Sequence, residues 1–401
     1  MSSEIRVPSP VASKAGRPPV ILQVLPSLVT GGVERGTIDM ALAIAEAGWT
    51  ALVASSGGHM VRELDRVGVK HITLPLHSKN PLVIRANIAK LEAIIREHGV
   101  DIVHARSRAP AWSAYHAAQR AGAHFVTTFH GTYNGGWMGL KNRYNVIMTR
   151  GERVIAISNF ISHHMQTTYG VPPGKIRVVH RGVDVSRFDP AKVSQERIIQ
   201  LAQRWRLPDG YPVIMLAGRL TRWKGQAVLI EALAKLGRRD IRCLLVGSDQ
   251  GRTAYTEELK ALVQQLGLTD VVHIVGECND MPAAYMLTDV VVSASTDPEA
   301  VGRVIIEGQA LGRPVVATNN GAGRENVIDG RTGLLVPPND PDSMAVALER
   351  ILAMTPERRA IMAEEAIAFV RENFTRELMC VRTLDVYAEV LGLAPMEAPA
   401  E

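Results

Sequence analysis

Cysteine is scarce in this sequence, and long apolar runs are absent. The three cysteines in 401 residues are too few and too scattered for a disulfide framework or a metal cage, which favours a reducing, cytoplasmic setting. No apolar run reaches the ~18 residues that a membrane-spanning helix needs. Residues 1–18 are rich in Pro and Ser without an apolar stretch, which predicts a disordered lead rather than a signal peptide. We therefore expect a soluble, cytoplasmic protein.

Aromatic residues are sparse as well. They make up 5% of the chain and no recognition motif accompanies them, so nucleic-acid binding would rest on charge alone and is not predicted. The charge is uneven: residues 1–190 contain 22 Lys and Arg against 12 Asp and Glu, and the remainder contains 23 against 28. A basic half can attract an anionic membrane surface, although a chance difference in charge between the two halves, without any function, explains the asymmetry equally well.

Carboxylate pairs suited to a metal ion are missing too. No Asp-x-Asp pair stands at the end of a central strand. The pair Asp340 and Asp342 falls at a predicted helix start, where capping explains it. We therefore predict neither a metal site nor a cofactor.

The sequence is rich in short, β-branched apolar runs that alternate with segments of helical period. Such runs are typical of parallel strands covered on both faces. The first series is 20–25, 51–55, 101–105, 124–129 and 153–157, and the second is 212–218, 241–247, 271–276, 289–295 and 314–319. Two series predict an α/β protein with two doubly wound, Rossmann-like domains, at residues 19–190 and 191–373. Residues 374–393 carry apolar side chains at helical spacing and predict a further amphipathic helix.

A glycine pair, Gly31 and Gly32, follows the first strand and opens the first helix. Glycines let a ligand approach the backbone, and a helix N-terminus offers free N–H groups and a positive dipole end. The spacing is not G-x-G-x-x-G, which disfavours a dehydrogenase-type dinucleotide site. A purely structural turn explains the pair about equally well.

A basic segment follows the first strand of the second series. Arg219 and Lys224 lie five positions apart just after that strand, and open α/β sheets bind ligands at the carboxyl ends of their strands. A guanidinium fork and an ammonium point charge can flank a diphosphate. The alternative is a pair of solvated surface cations.

Two glutamates eight positions apart carry the strongest signal. Glu299 lies in a loop after a strand, and Glu307 lies about one turn into a helix predicted to begin near Gly302. We expect the carboxylates to be well separated, unlike the ~5 Å pair of a retaining glycosidase, and therefore to be binding contacts. The helix start at Gly302 and Arg303 can hold a phosphate. Taken singly, Glu299 is explained as an exposed loop residue and Glu307 as a helix-surface residue.

Two histidines end strands of the first series. His130 stands where an apolar strand ends and a glycine follows, which makes it a candidate contact for a hydroxyl. His104 ends another strand and is a weaker candidate. A lone histidine is more often structural.

Taken in order, these motifs resemble the large retaining family of GT-B glycosyltransferases called group 1 or family 4, over roughly residues 19–393. The most specific element is the glutamate pair in the context Pro-Glu-Ala-Val-Gly-Arg, residues 298–303. Further matching segments are 31–32, 130–131, 157–158, 218–220, 224–225, 246–247, 312–317 and 329–336.

The resemblance implies a GT-B fold, with two domains facing across a cleft and the terminal helix packed back on the first domain. Arg219 and Lys224 would neutralise the departing diphosphate of a nucleotide-sugar donor. Glu307 would hold the ribose, Glu299 the donor sugar, and His130 the sugar beside its reacting carbon. The remaining donor contacts that it implies are at Gly31, Gly32, Ala300, Val301, Gly302 and Arg303.

The implied activity is transfer of a sugar from a UDP- or GDP-linked donor, with retention and without a metal. The basic first domain points to an envelope glycan or glycolipid acceptor such as a lipopolysaccharide core, met at the inner face of the cytoplasmic membrane. A candidate docking cluster for anionic lipid is Lys141, Arg143, Arg150 and Arg153.

Val301 stands where the family commonly has an aromatic residue, which predicts a slightly altered sugar pocket. Other activities on the same fold stay open. They are a nucleotide-sugar epimerase, a phosphorylase, and a degenerate transferase that binds nucleotide sugars as a regulator. The intact context of the two glutamates favours the transferase.

Overall fold

The apolar runs of the sequence form buried strands in the computed structural model, which describes residues 16–133 and 140–395. All strand pairings are parallel, and such strands bury both faces, which explains why their side chains do not alternate between apolar and polar. The chain divides into a first unit, up to Arg181 and from Arg376 onward, and a second unit, Gly182–Thr375. The predicted α/β class with two doubly wound domains is confirmed.

The first unit contains a seven-stranded sheet. Its strands are β1 (Val20–Val24), β2 (Thr50–Ser55), β3 (Lys70–Thr73), β4 (Ile102–Ala105), β5 (His124–Phe129), β6 (Arg153–Ala156) and β7 (Ile176–Val178). The helices before the chain leaves this unit are α1 (Gly32–Glu46), α2 (Val61–Arg66), α3 (Pro81–His98), α4 (Arg108–Ala121), α5 (Leu140–Asn145) and α6 (Asn159–Tyr169). The strand order is β3-β2-β1-β4-β5-β6-β7, so the order reverses between β1 and β4. Connections diverge at such a switch point and leave a crevice at the carboxyl ends of the strands.

The second unit repeats this plan with six strands. They are β8 (Val213–Ala217), β9 (Arg242–Val246), β10 (Val272–Gly276), β11 (Val290–Ser293), β12 (Val315–Thr318) and β13 (Leu334–Val336). Its helices are α7 (Gln195–Arg204), α8 (Gln226–Leu236), α9 (Thr253–Gln265), α10 (Met281–Met286), α11 (Arg303–Ala310), α12 (Gly323–Asn326), α13 (Pro341–Leu352) and α14 (Pro356–Asn373). The order β10-β9-β8-β11-β12-β13 places the switch point between β8 and β11.

The last helix, α15 (Arg376–Leu391), belongs to the first unit. Its Leu384 and Tyr387 are buried in the same apolar cluster as Ile44 of α1 and Trp49, which follows that helix. An amphipathic stripe alone shows that a helix needs a partner, and here the partner is the core of the first unit.

The domain limits differ slightly from those expected. The chain passes to the second unit after Arg181 rather than near residue 190, because the Val183 N–H donates to the Phe374 carbonyl (2.8 Å) and Phe188 is buried in the second unit's core. Residues 1–15 of the predicted disordered lead lie outside the described residues. Arg17, near the end of that segment, pairs with Asp101 at 2.9 Å and is therefore tied to the first unit.

Three short strands were not among the predicted runs, namely β3, β7 and β13. All three are the outermost strands of their sheets, where a strand has one neighbour and needs fewer apolar residues. Among the described residues, no helix combines the length and the apolar character that crossing a membrane requires.

Candidate functional site

In the second unit, the predicted cation and carboxylate of the donor site meet at the switch point of the sheet. Lys224 lies in a short 3₁₀ turn after β8, and Glu299 lies in the loop after β11. The Lys224 Nζ is 2.6 Å from the Glu299 Oε1, and both side chains are about seven-eighths buried, at 13% and 14% exposure. The Ser295 hydroxyl donates to the same Oε1. An ion pair this sheltered from water is screened little by salt and keeps a defined geometry.

Gly225 allows the turn that carries Lys224 to approach the end of β11. Its backbone φ is +71°, in the left-handed region, and a Cβ there would overlap the carbonyl of Ala294. A residue with a side chain would therefore push the 3₁₀ turn away from the neighbouring strand. The Thr296 N–H donates to the Trp223 carbonyl at 2.8 Å and ties the same two segments together.

Arg219 and Lys224 share one aromatic partner. The Lys224 Nζ is 4.5 Å from the Trp223 ring centroid, and the Arg219 guanidinium carbon is 5.9 Å from it. Both distances suit cation–π attraction. The buried Gln226 side chain also donates to the Arg219 carbonyl (2.9 Å), so the backbone that carries the exposed guanidinium is fixed. Both cations therefore lie close to the same ring.

Glu307 occupies a separate setting in α11. It is 8% exposed rather than on the helix surface, its Oε2 accepts from the buried Tyr285 hydroxyl (3.0 Å), and its Oε1 accepts from Arg303 (2.7 Å). Burial, and then the neighbouring carboxylate, raise the pKa of Tyr285 well above its ordinary value, so the phenol stays a donor. The two glutamates have no hydrogen-bond partner in common among these contacts.

The loop between the glutamates is held by α12 and by the residue that precedes it. The Ala322 N–H donates to the Glu299 carbonyl at 2.8 Å, and the Asn326 side chain donates to the Val301 carbonyl. Gly302 precedes α11 with φ +66°. The loop that leads into α11 is therefore fixed, and the N–H groups at a helix start can bind an anion.

In the first unit, the corresponding switch point lies beside Gly31 and Gly32. Gly31 precedes α1, and the Gly32 carbonyl accepts a hydrogen bond from Arg181. Beneath the helix, the fully buried Gln23 of β1 donates to the Thr37 carbonyl (3.0 Å) and accepts from Arg106 (3.0 Å).

His130 follows β5 at the same edge of this sheet. It is partly buried, and its Nε2 is buried without a hydrogen-bond partner among the described residues. Burial lowers the pKa of His130 well below its ordinary value, and the charges of Arg106 and Arg181 lower it further. The ring is therefore neutral at physiological pH and offers one unused nitrogen.

His104 is a buried structural histidine rather than a surface contact. Its Nδ1 is 2.6 Å from the Tyr387 hydroxyl, and its Nε2 is 2.7 Å from the Thr128 hydroxyl. The ring is fully enclosed, and burial lowers its pKa well below the ordinary value. Its role is to join β4, β5 and α15.

A cavity of about 620 Å³ opens near the same edge of the first unit. Its lining includes His77, Lys79, Arg108 and Lys141, and none of its described lining residues is acidic. The Arg108 guanidinium stacks on Tyr133 at 4.3 Å from the ring centroid. It also donates to the Oδ1 of the fully buried Asn145 at 2.9 Å. A cation fixed in this way is preorganised to receive an anion.

One of the four cations of the candidate docking cluster is paired within the fold. Arg153 Nε pairs with Glu389 of α15 at 2.8 Å, and Arg177 binds the same carboxylate. Lys141, Arg143 and Arg150 are exposed, and Lys141 lines the cavity. Arg153 is therefore partly neutralised within the fold.

Several residues of these sites were not singled out from the sequence. Arg106 and Arg181 are buried guanidiniums in the first unit, and Tyr285 and Ser295 fix the glutamates in the second. Arg106 directly follows a strand, which is a usable signal. For Arg181 and Tyr285, nothing in the sequence indicates which distant residue they contact. Ser295 contacts Glu299 only four positions further on.

Within residues 16–133 and 140–395, no group of three or more His, Cys, Asp or Glu side chains is arranged to hold a metal ion. The three cysteines are free thiols, and burial raises the pKa of each.

Two protein-family models match the chain, one to each unit. Residues 30–187 match the family described as Glycosyltransferase Family 4, and residues 198–369 match Glycosyl transferases group 1. The second match spans the segments that carry Arg219, Lys224, Glu299 and Glu307.

Related proteins and structures agree with these matches. The chain is 32% identical to D-inositol 3-phosphate glycosyltransferase of Xylanimonas cellulosilytica over 77% of each chain. It is 31% identical to the GDP-mannose-dependent alpha-(1-6)-phosphatidylinositol monomannoside mannosyltransferase of Mycolicibacterium smegmatis, over 71% of this chain and 76% of the relative. The crystal structure of a glycosyltransferase from Rickettsia africae superimposes with a TM-score of 0.87 at 40% identity, covering 94% of this chain and 100% of that one.

Proposed function

This chain belongs to the group 1 glycosyltransferases, with the GT-B fold, and we propose that it transfers a sugar with retention from a nucleoside diphosphate to an anionic envelope glycan or glycolipid. The observation that carries the donor half of this proposal is the sheltered Lys224–Glu299 pair beside Arg219, at the switch point of the second sheet. Ligands bind open α/β sheets at such points.

The chemistry of the pair suits a diphosphate that carries a sugar. An ammonium has three N–H donors, so Lys224 can bind Glu299 with one and phosphate oxygens with the others. The contacts of Glu299 with Lys224 and Ser295 both fall on Oε1, which leaves Oε2 to accept a sugar hydroxyl. Arg219 and Lys224 together supply fixed positive charge where negative charge develops as the diphosphate departs.

Glu307 is assigned to the ribose of the donor. Its two oxygens accept from Tyr285 and Arg303, and each carboxylate oxygen has a second lone pair for a ribose hydroxyl. The N–H groups from Ala300 to Arg303 are assigned to the phosphates. In the first unit, the Gly31–Gly32 turn and His130 are assigned to the sugar side of the donor.

In the proposed reaction, an acceptor hydroxyl attacks the anomeric carbon on the face from which the diphosphate leaves. The bond between that carbon and the phosphate oxygen breaks, and the hydroxyl proton passes to the departing phosphate. Two cations and a helix dipole stabilise this charge, so we propose that no divalent metal takes part.

The basic cavity of the first unit supports an anionic acceptor. Arg108 is held by Tyr133 and Asn145, and Lys79 and Lys141 lie on the same lining without an acidic neighbour there. A phosphate or carboxylate on the acceptor would meet three positive charges. Phosphorylated inositol, a glycolipid phosphate and a lipopolysaccharide core share this chemistry. Peripheral contact with anionic lipid at the inner face of the cytoplasmic membrane follows as part of the proposal.

Thermal unfolding with a panel of nucleotides tests the donor half. UDP, GDP or a sugar conjugate at about 100 times its Kd should stabilise the folded chain by ~2.7 kcal/mol. If none of them stabilises it, the donor is not UDP- or GDP-linked and the proposal in this form is wrong. Release of nucleoside diphosphate, followed with and without acceptor, then separates the classes. A regulator binds the donor without turnover, and an epimerase converts the sugar without needing an acceptor.

Paired acceptors test the acceptor half. Inositol phosphate should be glycosylated in preference to inositol, and Arg108→Met should raise the acceptor KM while leaving the donor KM unchanged. Arg120→Met, an exposed cation of the same helix, is the matched control. Equal use of charged and neutral acceptors would remove the anionic site. Failure to sediment with phosphatidylglycerol vesicles at low salt would remove the membrane contact alone.

A further inference from the structure

Arg181 reaches the start of α1 from 149 positions further along the chain. It is the last residue of the first unit before the chain enters the second unit. It is 8% exposed, and its Nη2 donates to the Gly32 carbonyl. A charge-assisted hydrogen bond of this kind is about twice as strong as a neutral one.

Gly36 provides the space that Arg181 occupies. It lies within α1, one turn after Gly32, and a Cβ at Gly36 would overlap the Arg181 guanidinium. Glycine inside a helix is less favourable than alanine. The Arg181 side chain packs against α1 at this position, which explains why a glycine is needed there.

The planar peptide bond carries this contact to the ligand side of the turn. Fixing the Gly32 carbonyl fixes the plane that contains the Val33 N–H, which points the opposite way. That N–H is among the first donors of α1, which have no partner within the helix. One turn further on, Gln23 holds the Thr37 carbonyl at 3.0 Å, so α1 is tied to the body of the unit at two successive turns.

We propose that Arg181 is a positioning residue that holds the Gly31–Gly32 turn in the orientation that binds the diphosphate sugar. The proposal rests on the proposed function, because it takes the donor to be a nucleotide sugar. Arg181 acts through the backbone and needs no contact with the donor. Gly36 contributes by leaving the space that the Arg181 guanidinium occupies.

Binding of UDP-glucose, UDP-galactose and GDP-mannose to the full chain, measured by calorimetry, tests the proposal. Arg181→Met should raise the Kd of each nucleotide sugar that the wild type binds about tenfold or more. The reason is that a charged hydrogen bond that orders a binding turn is lost. Gly36→Ala should weaken it in the same direction, although alanine favours the helix. The double variant should bind no more weakly than the weaker single variant, since both changes break one contact.

Arg35→Met is the matched control, because Arg35 is an exposed cation of the same helix that pairs with Glu63. It should bind the donor as the wild type does. A purely structural role would lower the melting temperature of Arg181→Met and leave the Kd of the folded protein unchanged, which would overturn the proposal. Additive losses in the double variant would overturn it as well. If the wild type binds no nucleotide sugar, the proposed function is contradicted instead. If Lys224→Met loses binding while Arg181→Met binds normally, the proposed function is supported and the role of Arg181 is overturned.

Discussion

The Tyr387 hydroxyl lies 2.6 Å from the Nδ1 of His104, although 283 positions separate the two residues. Both side chains are fully buried, and the other nitrogen of His104 reaches Thr128 at 2.7 Å. The contact joins α15 to β4 and β5, so the last helix completes the polar interior of the first unit as well as its apolar core.

The first prediction concerns this contact. Tyr387→Phe leaves a buried imidazole nitrogen without its partner and should lower the free energy of unfolding by about 1–3 kcal/mol. Urea denaturation measures the change. Tyr211→Phe, at an exposed tyrosine, should stay within about 0.5 kcal/mol of the wild type. Equal stability of the two variants would show that the hydroxyl contributes nothing.

The second prediction concerns the donor cation. Lys224→Met should lower kcat about 10²- to 10³-fold, because in the proposed mechanism it removes fixed positive charge beside the departing diphosphate. Lys235→Met is the control, since Lys235 is an exposed lysine of the same unit that pairs with Asp342. Circular dichroism should show both variants folded. Near-normal turnover in Lys224→Met would remove this lysine from the site.

The third prediction concerns pH. Burial lowers the pKa of His104 well below its ordinary value near 6.5. On acidification, the unfolded chain therefore binds a proton at this histidine while the folded chain does not. The contribution of the neutral His104 ring to the free energy of unfolding is therefore fully present above about pH 6.5. It is lost as the pH drops below that value, by up to about 1.4 kcal/mol per pH unit.

Urea denaturation of the wild type and of His104→Gln at a series of pH values measures that contribution. The variant should lose stability less steeply on acidification, whereas His59→Gln, at an exposed histidine, should follow the wild type. Parallel curves for the wild type and His104→Gln would contradict the assignment of a neutral buried ring.

The fourth prediction concerns metals. Because Arg219, Lys224 and the start of α11 supply the positive charge in the proposed mechanism, excess EDTA should leave the transfer rate unchanged. Release of nucleoside diphosphate, followed before and after chelation, checks this. A rate that falls with EDTA and returns with Mg²⁺ would require a metal in the mechanism.

The fold class was predictable because it depends on local pattern. Runs such as residues 213–217 and 314–317 are apolar throughout, and a parallel sheet covered on both faces buries such strands completely. The outermost strands β3, β7 and β13 escaped prediction, since what makes each a strand is its neighbour in the sheet. The chain enters the second unit earlier than the expected limit near residue 190. The pairing of Val183 with Phe374 marks this point, and a contact so distant in sequence leaves no local signal.

The candidate donor residues were predictable from their place after strands. Lys224 and Glu299 follow strands that turn out to be neighbours, so their side chains meet although 75 positions separate them. The hydrogen bond from Ser295 to Glu299 and the burial of Glu307 against Tyr285 were not predictable, because packing decided both.

By itself, the sequence determined the alternation of strands and helices, the two doubly wound units and the order of the charged residues after the strands, since these follow from periodicity and local propensity. Tertiary structure decided which of those residues meet. The Lys224–Glu299 pair, the enclosure of His104 by Tyr387 and the space at Gly36 for Arg181 all join positions far apart in the chain. Contacts of that kind depend on how sheets and helices pack, which no local pattern encodes.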